Sequence, residues 1–117
     1  ILLILVLVVG VIGFFIYNNN RPGDLDGFAS CLKDKDLKFY GAFWCPHCQN
    51  QKKMFGRSAR LLPYIECSTP DGKNQTQTCN ALDIKGYPTW EYPDGSREEG
   101  EISFSRLAEK SGCELAQ

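Results

Sequence analysis

Histidine is nearly absent from this chain of 117 residues: His47 is the only one. Cysteine is not scarce, but of the six only Cys45 and Cys48 lie close together, while Cys31, Cys67, Cys79 and Cys113 are singletons. A structural zinc site draws its ligands from two close Cys/His pairs, so the spacing argues against a metal, and no other cofactor is implied. Excess charge of either sign is also missing. The 13 basic and 14 acidic residues leave a net charge of −1, which excludes the electrostatic footprint of a nucleic-acid or acidic-surface binder. No internal repeat and no low-complexity tract is present.

Charge is wholly absent from residues 1–17, of which fifteen are Ile, Leu, Val, Phe or Tyr. A run of this length sits at the short end of the ~17–25 residues that cross a bilayer, and it is expected to be a transmembrane helix. A secretory signal would have an apolar region of about 7–15 residues and a small-residue cleavage site, whereas Phe14-Phe15-Ile16-Tyr17 runs straight into Asn18-Asn19-Asn20. The chain opens on Ile1 rather than Met, so further residues are expected upstream, and the helix is either a lone anchor or the last span of a larger membrane protein. Residues 18–24, polar and rich in turn formers, read as a linker to a small domain over residues 25–117.

What that domain contains is a Cys-x-x-Cys motif, Cys45-Pro46-His47-Cys48. It follows the apolar, aromatic run Lys38-Phe39-Tyr40-Gly41-Ala42-Phe43-Trp44 and precedes a helix-like stretch. In that strand-turn-helix setting Cys45 opens the helix, where unpaired N–H groups and the positive end of the helix dipole favour a thiolate. Cys45 is therefore the expected nucleophile. Cys48, one helical turn deeper on the same face, is the expected resolving thiol. Pro46 has the φ suited to a first helical turn, and His47 is expected to tune the thiolate by a hydrogen bond or a positive field. Such stabilisation of the reduced form makes a disulfide more oxidising.

A second feature is Gly86-Tyr87-Pro88-Thr89, ahead of the strand-like Trp90-Glu91-Tyr92. Alone, Tyr87-Pro88 is a turn before a strand. Together, the Trp-Cys-x-x-Cys after one apolar strand and the Gly-x-Pro-Thr before another resemble the thioredoxin superfamily, over about residues 25–113. The resemblance implies that Pro88 is a cis proline facing the disulfide, with Tyr87 and Thr89 beside it in a substrate groove. Trp44 next to Cys45 would add an aromatic rim suited to an unfolded, apolar-rich client. The Pro46-His47 dipeptide resembles the DsbA type, although DsbA's large helical insertion does not fit in this length. The run from Tyr40 to Cys48, with the later Cys67 and Cys79, is similar to the short thioredoxin-like domains fused to, or encoded beside, vitamin K epoxide reductase homologues of bacteria and plastids. One departure from thioredoxin is Phe39, where thioredoxins carry a buried aspartate. Without it, removal of the Cys48 proton is expected to be slower or to use another base.

The four remaining cysteines allow three connectivities. Cys67–Cys79 with Cys31–Cys113 is the favoured one, the first closing the polar loop after Cys67; the alternative is that all four are reduced in a cytosolic protein. An even number of cysteines in a small domain beside a membrane span points to an oxidising space: periplasm, cell exterior or plastid lumen.

Apolar spacing predicts a helix capped by Asp24 through Lys35, a strand over 37–44, the Cys-x-x-Cys helix over 49–61, a strand over 64–67, a short helix over 76–82, strands over 89–92 and 97–100, and a helix over 103–111. The expected architecture is α/β, a thioredoxin fold with a mixed four-stranded sheet flanked by helices, preceded by one transmembrane helix. Glu98-Glu99-Gly100-Glu101 reads as a solvated edge. The expected function is that of a membrane-tethered thiol–disulfide oxidoreductase that passes disulfides to exported protein thiols. By resemblance, its electron acceptor would be a vitamin K epoxide reductase-like quinone reductase. An anchored reductase or isomerase would use the same residues, and a non-enzymatic membrane-bound binding module would keep Cys45–Cys48 as an inert disulfide.

Overall fold

A computed structural model describes residues 1–115; Ala116 and Gln117, the end of the expected domain, lie outside it. The first helix, α1 (Leu2–Asn20), buries none of its residues against the rest of the chain. Its 19 residues rise about 28 Å, close to the thickness of a bilayer's hydrocarbon core. By length and composition it is the one helix among the described residues apolar enough to cross a membrane. It continues through Asn18–Asn20, which the composition assigned to the linker, and stops at Arg21, whose ψ of 131° is extended. Pro22 follows, and the residue before a proline is sterically driven out of the helical region.

Beyond the linker lie α2 (Asp26–Asp34), β1 (Lys38–Gly41), α3 (Pro46–Phe55), β2 (Tyr64–Glu66), α4 (Gln77–Ala81), β3 (Thr89–Glu91), β4 (Arg97–Glu99) and α5 (Phe104–Ser111). The four strands form one mixed sheet in the order β2-β1-β3-β4. β1 is parallel to β2 and antiparallel to β3, and β3 pairs antiparallel with β4. The architecture is that of the helix-flanked α/β sheet expected from the sequence, with one apolar helix ahead of it.

Alternation along β1 sends Phe39 to one face and Tyr40 to the other, and both are fully buried. Phe39 stacks on Trp90 at 4.7 Å between ring centroids, in the larger core with Phe28 and Leu32 of α2, Phe55 of α3 and Leu107 of α5. Tyr40 joins the smaller core of Cys67, Cys79 and Ile84. A strand covered on both faces carries the near-continuous apolar run seen here.

Among the boundaries that differ from the pattern-based expectation, three have a visible cause. The first strand ends at Gly41 rather than running to Trp44, because Cys45 N–H closes a turn on the Ala42 carbonyl at 3.0 Å and redirects the chain into α3. The long helix after the motif stops at Phe55; Gly56 adopts φ +56°, a conformation glycine takes without penalty, and the chain continues as a 3₁₀ turn over Gly56–Leu61. The third concerns Asp24, which does not cap α2. The helix begins after Leu25, whose N–H donates to Ser58 Oγ at 2.9 Å, and the Ser58 hydroxyl donates in turn to Asp26 Oδ1 at 2.9 Å. Both oxygens of Asp26 are also held by Arg60, and the hydrogen bonds from Arg60 keep its carboxyl well below the ordinary range.

Two disulfides close the domain. Cys31 is bonded to Cys113, joining α2 to the segment after α5, and Cys67 is bonded to Cys79, joining the end of β2 to α4.

Candidate functional site

The site forms where β1 hands over to α3. Cys45 is the N-cap residue of α3, with extended backbone angles, and Pro46 takes the first helical position, where a missing N–H costs nothing. Cys48 follows in the same turn and faces inward. Cys45 and Cys48 are the two free cysteines among the described residues. Their surroundings differ: Cys45 keeps 6 % of its surface accessible and Cys48 only 1 %.

Burial sets the chemistry of the inner thiol. Loss of water pushes Cys48 up to about 12, and its hydrogen bond to the Cys45 sulfur together with the charge there adds to the shift. At neutral pH Cys48 is therefore a protonated thiol that can donate to Cys45, and not a competing thiolate. The floor beneath it is Gly41, where an added Cβ would lie 2.9 Å from Cys48 Sγ and 2.9 Å from a ring carbon of Tyr64. Only glycine fits that approach.

The second element is the segment before β3. The Tyr87–Pro88 bond is cis, and the Tyr87 carbonyl faces Cys45 Sγ at 3.7 Å. The structure thus brings Cys45, Cys48, Pro46 and Pro88 into one locus from two stretches of chain. Thr89 lies beside them but is 2 % exposed, and its hydroxyl donates to the Gly86 carbonyl at 2.6 Å, so its side chain serves the turn and does not face a groove.

His47 points outward. Its Nδ1 lies 2.8 Å from Glu101 Oε2, so the imidazole expected to tune Cys45 is engaged by a carboxylate arriving from the segment before α5. Glu101 is accordingly not a merely solvated acid, and Glu98 of the same stretch pairs with Arg106 at 2.7 Å.

Aromatic side chains border the opening. Phe43 and Trp44 are 47 % and 48 % exposed. Trp44 meets Tyr87 edge-to-face at 5.9 Å, and its indole N–H donates to Ser68 Oγ at 3.0 Å.

Several contributing residues carried no local signal in the sequence. Behind the site, where a carboxylate would stand if Phe39 were aspartate, there is the Phe39–Trp90 stack. Polar groups nearby come from β2: the Tyr64 hydroxyl donates to Glu66 Oε1 at 3.0 Å, while Glu66 Oε2 accepts from the backbone N–H groups of Phe43 and Ser68. Burial, followed by that hydrogen bond, raises the Tyr64 phenol well above its ordinary range. Gln51 of α3 is fully buried; its Oε1 accepts from Trp90 Nε1 and from the Ile102 N–H, and its Nε2 donates to the Ile102 carbonyl. One amide thus ties the Cys-x-x-Cys helix to β3 and to the approach to α5.

Comparison with known proteins agrees with this geometry. The chain is 46 % identical over 94 residues to a thiol-disulfide oxidoreductase, LTO1, of Arabidopsis thaliana. That match takes in 76 % of this chain and 24 % of the plant protein, so the chain spans about a quarter of its relative's length. No family model matches the chain.

Proposed function

We propose that this chain is a membrane-tethered thiol–disulfide oxidoreductase domain that donates a disulfide to protein thiols. The observation that carries the proposal is the pair Cys45 and Cys48, left unbonded at the start of α3 while the other four cysteines are paired. The similarity to a protein named for thiol–disulfide exchange supports the same chemistry.

In the oxidised form Cys45 and Cys48 share a disulfide. A client thiolate attacks Cys45 Sγ, the Cys45–Cys48 bond breaks, and Cys48 leaves with the electron pair and takes up a proton, as its raised pKa favours. The client's second thiolate then attacks its own sulfur in the mixed disulfide, and Cys45 leaves. The client has lost two electrons and the domain holds them as a dithiol. A quinone-linked membrane oxidoreductase of the vitamin K epoxide reductase type is the proposed acceptor that restores the disulfide. Pro88 and the Tyr87 carbonyl would border the client segment, and His47, with Glu101, would tune the pair.

The apolar helix supports a tether over residues 1–17, continuous with α1, and the two bonded pairs support an oxidising compartment for the domain over residues 25–117. The missing carboxylate at Phe39 supports disulfide donation over reduction. Equilibration of the full chain with glutathione buffers, read by thiol trapping, tests that direction. A reduction potential near DsbA's about −120 mV is expected, and one near thioredoxin's about −270 mV would favour a reductase.

A further inference from the structure

Residues 68–75 form a small hairpin that the proposed exchange does not use. Ser68 and Gln75 make an antiparallel bridge, Thr69 N–H donates to the Asn74 carbonyl at 2.9 Å, and Gly72 N–H turns back on Thr69 at 2.9 Å. The base is closed by the Cys67–Cys79 bond and by Thr76 N–H donating to the Cys67 carbonyl at 2.7 Å.

Each side of the hairpin holds one aromatic ring that borders Cys45. From the first side, Ser68 Oγ accepts from Trp44 Nε1 at 3.0 Å while its own proton goes to the Thr69 carbonyl at 2.8 Å. The second side contributes Gln75, whose Nε2 donates to the Tyr87 hydroxyl at 2.6 Å and to the Ile84 carbonyl at 3.0 Å. At the tip Gly72, with φ +74°, lies against the indole: a Cβ there would meet Trp44 at 3.5 Å and Phe43 at 3.7 Å. Phe43 and Trp44 nevertheless leave about half their surface open to solvent. Exposed rings that are already held in place lose little rotamer freedom when an apolar segment docks, which is how preorganised aromatic surfaces gain affinity.

We infer that this hairpin is a positioning device for Trp44 and Tyr87, and that Ser68 and Gln75 thereby set a preference for extended polypeptide clients with an apolar residue beside the reacting cysteine over small thiols. The inference rests on the proposed exchange at Cys45. A small dithiol reaches the Cys45 sulfur without covering the rings, whereas a polypeptide lies across them.

The test uses the full chain in detergent micelles, with Cys45–Cys48 first oxidised to the disulfide by diamide and the excess removed. Single turnovers with dithiothreitol and with two reduced unstructured peptides give the half-saturating concentration, read as KM, and the limiting rate, read as kcat. In one peptide leucine or phenylalanine flanks the cysteines; in the other, serine. For Ser68→Ala and Gln75→Ala, KM for the apolar-flanked peptide is expected to rise about fivefold, the loss of one positioning hydrogen bond, with kcat and the dithiothreitol rate unchanged. Ser68→Thr, which keeps the hydroxyl, is expected to restore KM, and mass spectrometry should find the Cys67–Cys79 bond intact in every variant. An unchanged KM for the apolar-flanked peptide, or an equal loss on all three substrates, overturns the inference while leaving the exchange proposal standing. A wild-type chain that exchanges with none of the three overturns the exchange proposal and this inference with it.

Discussion

Two cysteine pairs meet at Gly41 and have opposite fates. On one side, Cys67 N–H donates to the Gly41 carbonyl at 2.7 Å, and Cys67 is bonded to Cys79 across a sequence separation of 12. On the other, Cys48 packs on the glycine's bare α-carbon and remains a thiol beside Cys45. Burial alone does not separate them, since all four sulfur-bearing residues are at least nine-tenths enclosed. What differs is the frame. Cys67 and Cys79 close a loop inside a small apolar core with Tyr40 and Ile84, where opening the bond would free a whole segment. Cys45 and Cys48 share one turn of helix, so their bond can open and close with little movement of the chain. The first arrangement suits stability and the second suits cycling.

The contrast is broken most severely by deleting one pair at a time. Cys45→Ser is expected to abolish exchange with every thiol substrate while leaving the melting temperature near that of the wild type. Cys67→Ala with Cys79→Ala is expected to do the reverse. Releasing that loop should cost about 3 kcal/mol of stability by the chain-entropy estimate, measured by denaturant unfolding, with exchange toward a small dithiol retained. A doubly substituted chain as stable as the wild type would show that the bond does no structural work.

A smaller change sharpens the comparison at the shared glycine. Gly41→Ala places a methyl group 2.9 Å from Cys48 Sγ and from the Tyr64 ring, and overpacking of this kind costs roughly 1–3 kcal/mol. Stability and the rate of exchange should both fall, with the Cys67–Cys79 bond still present by mass spectrometry. A neutral substitution would mean that the contact on the redox side is soft.

The parts of this molecule that were legible in its sequence are those whose causes are local. Ser103 caps α5 by accepting from the Arg106 N–H, and Gly112 ends that helix at φ +77°, both readable from residue type and spacing. Thr76 caps α4 in the same way. Cys45, Cys48 and Pro88 sit in short motifs, and the structure brings those motifs together. The losses occur where a partner lies far along the chain. Asp24 looks like a cap because of its neighbours, but the group that serves α2 is Ser58, from the 3₁₀ turn. Gln51 looks like a polar surface residue of a helix, yet it is fully enclosed against Trp90 and Ile102. The single cue was that a buried indole N–H needs an acceptor, and nothing local says which one. Ser68, Gln75 and Glu101 belong to stretches whose composition is that of ordinary loops and edges, and their roles follow from the sheet and the Cys67–Cys79 bond placing them against Trp44, Tyr87 and His47.

The division of labour within the free pair is tested most directly by alkylating the reduced full chain over a range of pH and reading each cysteine by peptide mass spectrometry. A group whose pKa is raised by burial stays protonated until the pH approaches the raised value. Cys48 should therefore stay unlabelled across the neutral range while the more accessible Cys45 takes the label, and Cys48 should become reactive only as the pH nears about 12. Labelling of Cys48 as fast as Cys45, or ahead of it, near neutral pH would contradict the account.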